Sequence, residues 1–123
     1  MAHRFAVTFE GDHVRSHSSG QKNIKHAAEV WAEIVKVCLD CHCFAVLCIF
    51  DSGKPLHTID AFDHAELFNG LGIDDHYRIA WVELNPVAAD TTRFTARVLS
   101  NRGLPGRVFD TENEARAWLI KPD

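Results

Sequence analysis

The stretch that decides the fold is the apolar run C-F-A-V-L-C-I-F at Cys43–Phe50, which ends in the turn-forming residues D-S-G-K-P at Asp51–Pro55. The run has no polar alternation, which is typical of a strand covered on both faces in a parallel or mixed α/β sheet. It is too short for a helix. Ligands of such sheets bind beyond the carboxyl ends of the strands, so Asp51–Lys54 is a candidate site.

The composition is that of a single globular domain, which we place at residues 1–123. Hydrophobic residues make up 46% of the chain and charged residues 24%, a balance that excludes a disordered protein. The net charge of −4 argues against a nucleic-acid partner. No stretch approaches the roughly 20 apolar residues of a membrane span, and residues 1–20 lack the apolar segment of a signal peptide. We therefore expect a cytoplasmic protein without a membrane span.

On the N-terminal side of the run, the sequence predicts an edge strand, a connector and a helix. Apolar and polar residues alternate over Arg4–Glu10, and Gly11-Asp12 predicts a tight hairpin turn. Because this strand is half polar, we place it antiparallel at the edge of the sheet. Small polar residues over Ser16–Gln21 predict a connector, and apolar residues at steps of three and four predict a helix over Lys22–Leu39.

On the C-terminal side, helices and strands alternate with short links. We predict helices over residues 58–70 and 90–102, a buried strand at Tyr77–Glu83, a short strand at Gly106–Phe109, and a last helix that begins with the capping pair Thr111 and Glu114. This order predicts an α/β fold: a mixed, mostly parallel sheet of four to five strands with an antiparallel N-terminal edge strand and about four helices.

The order of elements resembles the SpoIIAA-like group of STAS-type domains, small bacterial α/β proteins related in fold to anti-sigma-factor antagonists and CRAL-TRIO lipid carriers. The similarity is strongest in Y-R-I-A-W-V at Tyr77–Val82, S-N-R-G at Ser100–Gly103 and R-V-F-D-T-E-N-E-A-R-A-W-L at Arg107–Leu119. The resemblance implies a SpoIIAA-like fold over nearly the whole chain and a regulatory or binding role without enzymatic activity.

The sequence departs from this group at one functional position. In anti-sigma-factor antagonists a phosphorylatable serine lies in a D-S-S-G-like turn that opens the helix after the central strand. Here the corresponding region reads H-T-I-D-A-F-D at His57–Asp63, where Thr58 is the only hydroxyl residue. Ser52 lies too close to the end of the central strand to be the obvious equivalent. The sequence therefore does not predict that this chain has the phosphorylation switch of the anti-sigma-factor antagonists.

We expect six polar residues to gather at the carboxyl ends of the strands, where they would bind a small polar or anionic ligand together with helix N-terminal amides. The alternative is that some of them only cap turns and helices. The six residues are Asp51, Ser52, Lys54, His57, Thr58 and Asn85.

Cys38, Cys41, His42 and Cys43 are residue types that bind zinc, but their spacing argues against a metal site. Cys38 falls on the apolar face of the predicted helix, Cys43 begins the next strand, and no second Cys/His pair stands at a suitable distance. The eight histidines contain no H-E-x-x-H pattern and are typical of surface imidazoles. We expect neither a metal nor a cofactor.

The leading hypothesis is a non-enzymatic SpoIIAA-like domain that binds a protein partner or a small apolar or anionic ligand, and that forms a homodimer as many small proteins do. One alternative is a carrier of a small apolar or lipid-like ligand, held beneath the helices at 58–70 and 90–102. A third is a small hydrolase-like enzyme in which His57 acts as general base beside Asp51.

Overall fold

The computed structural model describes residues 4–20, 24–52, 58–86, 89–104 and 106–120. In chain order, these residues form β1 (Arg4–Phe9), β2 (Val14–Gly20), α1 (Ile24–Cys41), β3 (Ala45–Ser52), α2 (Thr58–Leu71), β4 (Arg78–Glu83), α3 (Ala89–Asn101), β5 (Arg107–Phe109) and α4 (Glu112–Ile120).

The five strands form one sheet in the order β1-β2-β3-β4-β5. The pair β1 and β2 is antiparallel, whereas the other three pairs are parallel. The predicted fold class, a mostly parallel sheet with an antiparallel N-terminal edge strand and four helices, is confirmed.

The central strand β3 lies two residues later in the chain than predicted. Its residues Val46–Phe50 are buried, as expected for a strand with neighbours on both sides and helices on both faces. The pairing with β2 continues to the end of β3, where Ser19 lies opposite Asp51. Asp51 and Ser52 therefore belong to the strand itself and not to the turn that follows it.

Helices α1, α2 and α3 cover one face of the sheet. The core on this face contains Trp81, whose ring centre lies 6.4 Å from that of Trp31 and 5.7 Å from that of Phe50. Phe68 of α2 packs edge-on against Trp31 at 4.7 Å, a favoured geometry for aromatic pairs. Trp31 and Trp81 are both buried, and each exposes at most 2% of its surface.

Helix α4 covers the opposite face. Its buried residues Ala115 and Leu119 pack against a smaller apolar cluster supplied by the two central strands, namely Leu47, Ile49, Ala80 and Val82. Trp118 is half-buried at the border of this cluster. The sheet is thus a middle layer between three helices and one. Within the part of the chain that the structure describes, no helix is both long and apolar enough to cross a membrane.

The prediction of a connector at Ser16–Gln21 is wrong, because residues 14–20 form β2. This strand pairs with β1 on one side and β3 on the other, so backbone hydrogen bonds hold it without an apolar side-chain pattern. Its inward-facing positions include Ser16 and Ser18, which are buried. Small side chains suit positions covered by a helix.

The hairpin and the last helix begin as predicted. Gly11 has a φ angle of +96°, which suits the first position of a tight hairpin turn, and the Glu10 amide donates to the His13 carbonyl at 2.8 Å. At the start of α4, the Glu114 amide donates to Thr111 Oγ1 at 3.2 Å, and that hydroxyl donates to Glu114 Oε1 at 3.0 Å. Thr111 therefore caps the helix.

Helices α1, α2 and α3 end in the same way. After each helix, the amide of a residue donates to a carbonyl five positions earlier, as Ile73 does to Phe68 at 2.9 Å. The residue before that amide has a positive φ angle, +76° at Gly72, +72° at Gly103 and +52° at His42. This is the Schellman arrangement, which normally places glycine at the left-handed position.

Candidate functional site

Four of the six predicted site residues lie in the described part of the chain, and Asp51, Ser52 and Asn85 lie at the C-terminal edge of the sheet. Asp51 and Ser52 end β3, Thr58 begins α2, and Asn85 follows β4 by two residues. Asp51 is exposed and Asn85 is half-buried. Lys54 and His57 lie outside the described residues, so their placement at this edge stays a prediction.

The exposed side chain of Leu84 adds an apolar group to this edge. Phe50 lies opposite Glu83 in the pairing of β3 with β4, and the Leu84 amide donates to the Phe50 carbonyl at 2.7 Å. This pairing puts Leu84 beside Asp51 on the neighbouring strand. Leu84, the residue after β4, exposes 53% of its surface.

Glu83 organises the same edge, although no role beyond ending a strand is predicted for it. Its Oε1 accepts a hydrogen bond from the buried hydroxyl of Thr92 on α3 at 3.2 Å, and its Oε2 accepts from the Asn85 amide at 3.2 Å. The carboxylate therefore fixes both the segment after β4 and the first turns of α3. The sequence contains one signal for this role of Glu83, namely that it is an acidic residue at the end of an otherwise apolar strand.

A small cavity of about 20 Å³ lies below this edge, between α1, α2 and the ends of β2 and β3. Its lining includes Ser18, His26, Phe50 and the buried His64. The cavity has room for about one water molecule, far below the several hundred Å³ of typical ligand sites. It therefore gives no support to the lipid-carrier alternative.

A much larger groove of about 410 Å³ lies at the opposite, N-terminal edge of β4 and β5, where no site was predicted. We call it the Trp118 groove. Its volume lies in the range of small-molecule sites. Its lining consists of residues that precede or begin β4, the link from α3 to β5, and the end of α4: Asp75, His76, Tyr77, Arg78, Ile79, Gly103, Leu104, Gly106, Arg107 and Trp118.

Two arginines supply the Trp118 groove with positive charge and hydrogen-bond donors. Arg78 donates from Nε and Nη2 to the Trp118 carbonyl at 3.1 and 2.8 Å, and its guanidinium lies 3.9 Å from the centre of the Trp118 ring. Arg78 thereby caps the C-terminus of α4, where the helix dipole favours a cation. The exposed Arg107 stacks more loosely, 5.6 Å from the Trp118 ring and 5.2 Å from the Phe109 ring. Burial raises the pKa of the adjoining Tyr77 phenol.

Arg78 and Trp118 stand in two motifs of the sequence, Y-R-I-A-W-V and A-R-A-W-L, which are far apart along the chain. Arg78 and Trp118 are separated by 40 residues, and only the folded sheet brings them into contact. No short-range spacing could have revealed the site.

The four cysteines, all within the described residues, form no disulfide. Cys38 is completely buried, and burial raises the pKa of its thiol to about 12. Cys41 and Cys43 are partly exposed at the end of α1 and in the link that follows. In the described ranges, no three His, Cys, Asp or Glu side chains are arranged to hold a metal ion.

Comparisons with known proteins give matches in structure but not in sequence. No protein-family model and no curated protein sequence matches the chain. Among solved structures, it is similar to an anti-sigma factor antagonist from Mycobacterium paratuberculosis, with a TM-score of 0.65 and 12% identity over 98% of this chain and 96% of that one.

A second similar structure is an uncharacterised protein from Shewanella loihica, which is described as having a SpoIIAA-like fold. The TM-score is 0.56 and the identity 18%, over 97% of this chain and 96% of that one. The chain has a SpoIIAA-like fold. The resemblance inferred from the sequence is confirmed for the architecture. At these identities, neither match identifies a binding residue.

Proposed function

We propose that this chain is a non-enzymatic SpoIIAA-like domain that binds a protein partner through the C-terminal edge of its sheet. The observation that carries the proposal is the exposure of Leu84 beside Asp51 and Asn85. Protein interfaces have apolar side chains at their centre and polar groups around them, and Leu84 with its polar neighbours could form such a centre and part of its rim.

Two further features support a binding role for this edge. One structurally similar protein is described as an anti-sigma factor antagonist, so the architecture is compatible with regulation through protein contacts. Glu83 and Thr92 hold the end of β4 against α3. A surface fixed in this way loses little conformational entropy when a partner binds.

The test compares two leucines of nearly equal exposure on opposite edges of the molecule. Leu84 is 53% exposed at the C-terminal edge, and Leu39, near the end of α1, is 57% exposed at the other edge. A partner is isolated from cells that express the tagged chain, identified by mass spectrometry and purified. Its affinity for each variant is then measured by calorimetry.

We expect Leu84→Asp to weaken binding roughly tenfold or more, the effect of losing about 1.4 kcal/mol at an interface anchor. Leu39→Asp should bind as the wild type does, and circular dichroism should show that both variants are folded. Equal affinities for the wild type and Leu84→Asp would refute the proposal, as would an equal loss in Leu39→Asp.

The Trp118 groove favours a second candidate function, the binding of a small anion such as a carboxylate or phosphate ester. Arg107 and Arg78 supply planar, charged donors that match such groups, and the Trp118 ring supplies a flat apolar surface.

The test is a titration with phenyl phosphate, followed through the NMR amide signals of Gly103 and Gly106. These signals should shift in the wild type and in Arg116→Ala, an exposed arginine outside the groove, but not in Arg107→Ala. Unchanged signals in the wild type would exclude this function.

A further inference from the structure

The lining of the Trp118 groove contains side chains of both signs of charge. Its charged or titratable residues are two arginines, an aspartate and a histidine, namely Arg78, Arg107, Asp75 and His76. A ligand gains most from the groups that have no ion-pair partner within the molecule, since such groups give up no contact when the ligand binds. The partners of these four residues therefore indicate which kind of ligand suits the groove.

Two of the four residues are engaged in contacts within the molecule. Arg78 donates from two nitrogens to the Trp118 carbonyl, at 3.1 and 2.8 Å. His76 Nδ1 contacts the Asp74 carboxylate, which also accepts a hydrogen bond from the His76 amide at 3.0 Å. A ligand that binds either residue through these atoms competes with contacts that already exist.

Arg107 and Asp75 differ in this respect, and both are exposed. The Arg107 guanidinium lies 5.2 Å from the Phe109 ring centre and 5.6 Å from that of Trp118, and these contacts use none of its N–H groups as hydrogen-bond donors. Within the part of the chain that the structure describes, neither Arg107 nor Asp75 forms an ion pair, with each other or with another residue. The groove thus presents one cation and one anion to a ligand.

These two charged residues join the lining at separate places. The Tyr77 amide donates to the Asp74 carbonyl at 3.1 Å, so Asp75 lies in a tight turn that precedes β4. Arg107 begins β5 and lies opposite Ala80, the third residue of β4. Two residues of a strand span about 7 Å, and neighbouring strands lie about 5 Å apart. A ligand that contacts both side chains therefore carries its charges at different ends.

The rest of the lining suits an apolar body between two charged ends. The groove has a volume of about 410 Å³, which is within the range of small-molecule sites. Apart from the charged residues and Tyr77, its lining consists of two aliphatic residues, one indole and two residues without a side chain, namely Ile79, Leu104, Trp118, Gly103 and Gly106.

We propose that the ligand of the Trp118 groove is a small zwitterion with an apolar body, whose carboxylate or phosphate binds Arg107 and whose ammonium group binds Asp75. This inference rests on the anion-binding function proposed above for the groove, and it adds the second charge. The Asp75 carboxylate attracts the ammonium group of a zwitterion, whereas it repels an anion that has no positive charge. Asp75 thereby selects among anions of similar shape.

The test compares two probes of nearly the same shape, 4-(aminomethyl)benzoate and 4-ethylbenzoate, which have an ammonium and a methyl group at the same position. Their dissociation constants for the full chain are measured by titration, followed through the NMR amide signals of Gly103 and Gly106. We expect the wild type to bind the zwitterion about fivefold more tightly, the contribution of one favourable exposed ion pair.

Three variants assign this preference to its residues. Asp75→Asn removes the carboxylate but keeps a residue type that suits a turn, so both probes should bind with about the same dissociation constant. Arg107→Ala should abolish the binding of both probes. The control is Asp40→Asn, an exposed aspartate near the end of α1 outside the groove, which should keep the fivefold preference. Circular dichroism checks that each variant is folded.

Equal binding of the two probes to the wild type would overturn the proposal, and so would a preference that persists in Asp75→Asn or disappears in Asp40→Asn. In these cases 4-ethylbenzoate still shifts the glycine signals of the wild type, so anion binding by the groove stands without the second charge. A wild type whose signals respond to neither probe would refute both the zwitterion and the anion-binding function.

Discussion

The burial of the Cys38 thiol separates it chemically from its neighbours in the sequence. Cys38 lies on the inner face of α1, as the apolar periodicity of that helix predicts, whereas Cys41 and Cys43 are partly exposed. Burial favours the neutral thiol over the charged thiolate, and the pKa of Cys38 is raised to about 12. The thiolate is the form that reacts with alkylating agents.

We therefore predict selective alkylation at the residue scale. At pH 8 the Cys38 thiol, with its pKa near 12, is ionised in about one molecule in ten thousand, so iodoacetamide should modify Cys41 and Cys43 well before Cys38. Mass spectrometry of peptides from the native protein measures the order. In urea, where burial is lost, the cysteines should react at similar rates. Equal labelling of Cys38 and Cys41 in the native protein would contradict the prediction.

Other residues acquire their roles only through the folded chain. Sequence periodicity correctly indicates that Trp31 and Trp81 face inward, because the pattern of each element is local. The role of Glu83 depends on the position of Thr92 on a helix that packs beside the strand. The contact between Arg78 and Trp118 depends on which strand α4 crosses. A single sequence does not contain these relations in any short window.

At the scale of the elements, the ends of the helices are easier to predict from the sequence than strand β2, which has no apolar pattern. Glycines predict where α2 and α3 stop, and the capping pair Thr111 and Glu114 predicts where α4 starts, because these signals act within a few residues. Strand β2 lacks such a signal. Its sequence is polar and contains serines, and it is a strand because β1 and β3 lie on either side of it.

His42, which follows α1 with a left-handed backbone conformation, should make the protein less stable than glycine would at the same position. His42 has a φ angle of +52°, whereas α2 ends with Gly72 at +76°. A residue with a Cβ atom pays a conformational cost of about 1–2 kcal/mol in this region, and glycine does not. After allowance for the greater freedom of glycine in the unfolded chain, His42→Gly should raise the free energy of unfolding by about 0.5–1 kcal/mol.

The matched variant is Gly72→Ala, which should lower the free energy of unfolding by about 1 kcal/mol. Steric crowding does not complicate this comparison, since a Cβ at Gly72 would meet no atom within 4 Å. Urea denaturation followed by circular dichroism measures both values. A destabilised His42→Gly protein would show that the imidazole contributes more than the backbone strain removes.

At the scale of the whole molecule, the two faces of the sheet are covered unequally. Helices α1, α2 and α3 supply the larger core, whereas the cluster on the other face depends on α4. Leu119, which is 5% exposed, is the largest side chain that α4 buries against the central strands. The next residue, Ile120, is 51% exposed.

This asymmetry predicts very different costs for two adjacent substitutions. Leu119→Ala should lower the free energy of unfolding by about 2–4 kcal/mol, because it removes buried methyl groups and leaves a cavity. Ile120→Ala should change it by less than about 0.5 kcal/mol, as is usual for exposed positions. Chemical denaturation of the two variants provides the measurement. Similar losses in both would mean that α4 does not cover the sheet in the way described.

The strand order β1-β2-β3-β4-β5 has a consequence for synthesis of the chain on the ribosome. Each new strand pairs with the one made just before it, so the sheet can grow outward as the nascent chain emerges. The face that includes Leu47 and Val82 cannot be covered until α4, which follows all five strands, has been released. During synthesis the growing sheet thus keeps an apolar surface exposed to solvent until α4 packs on it.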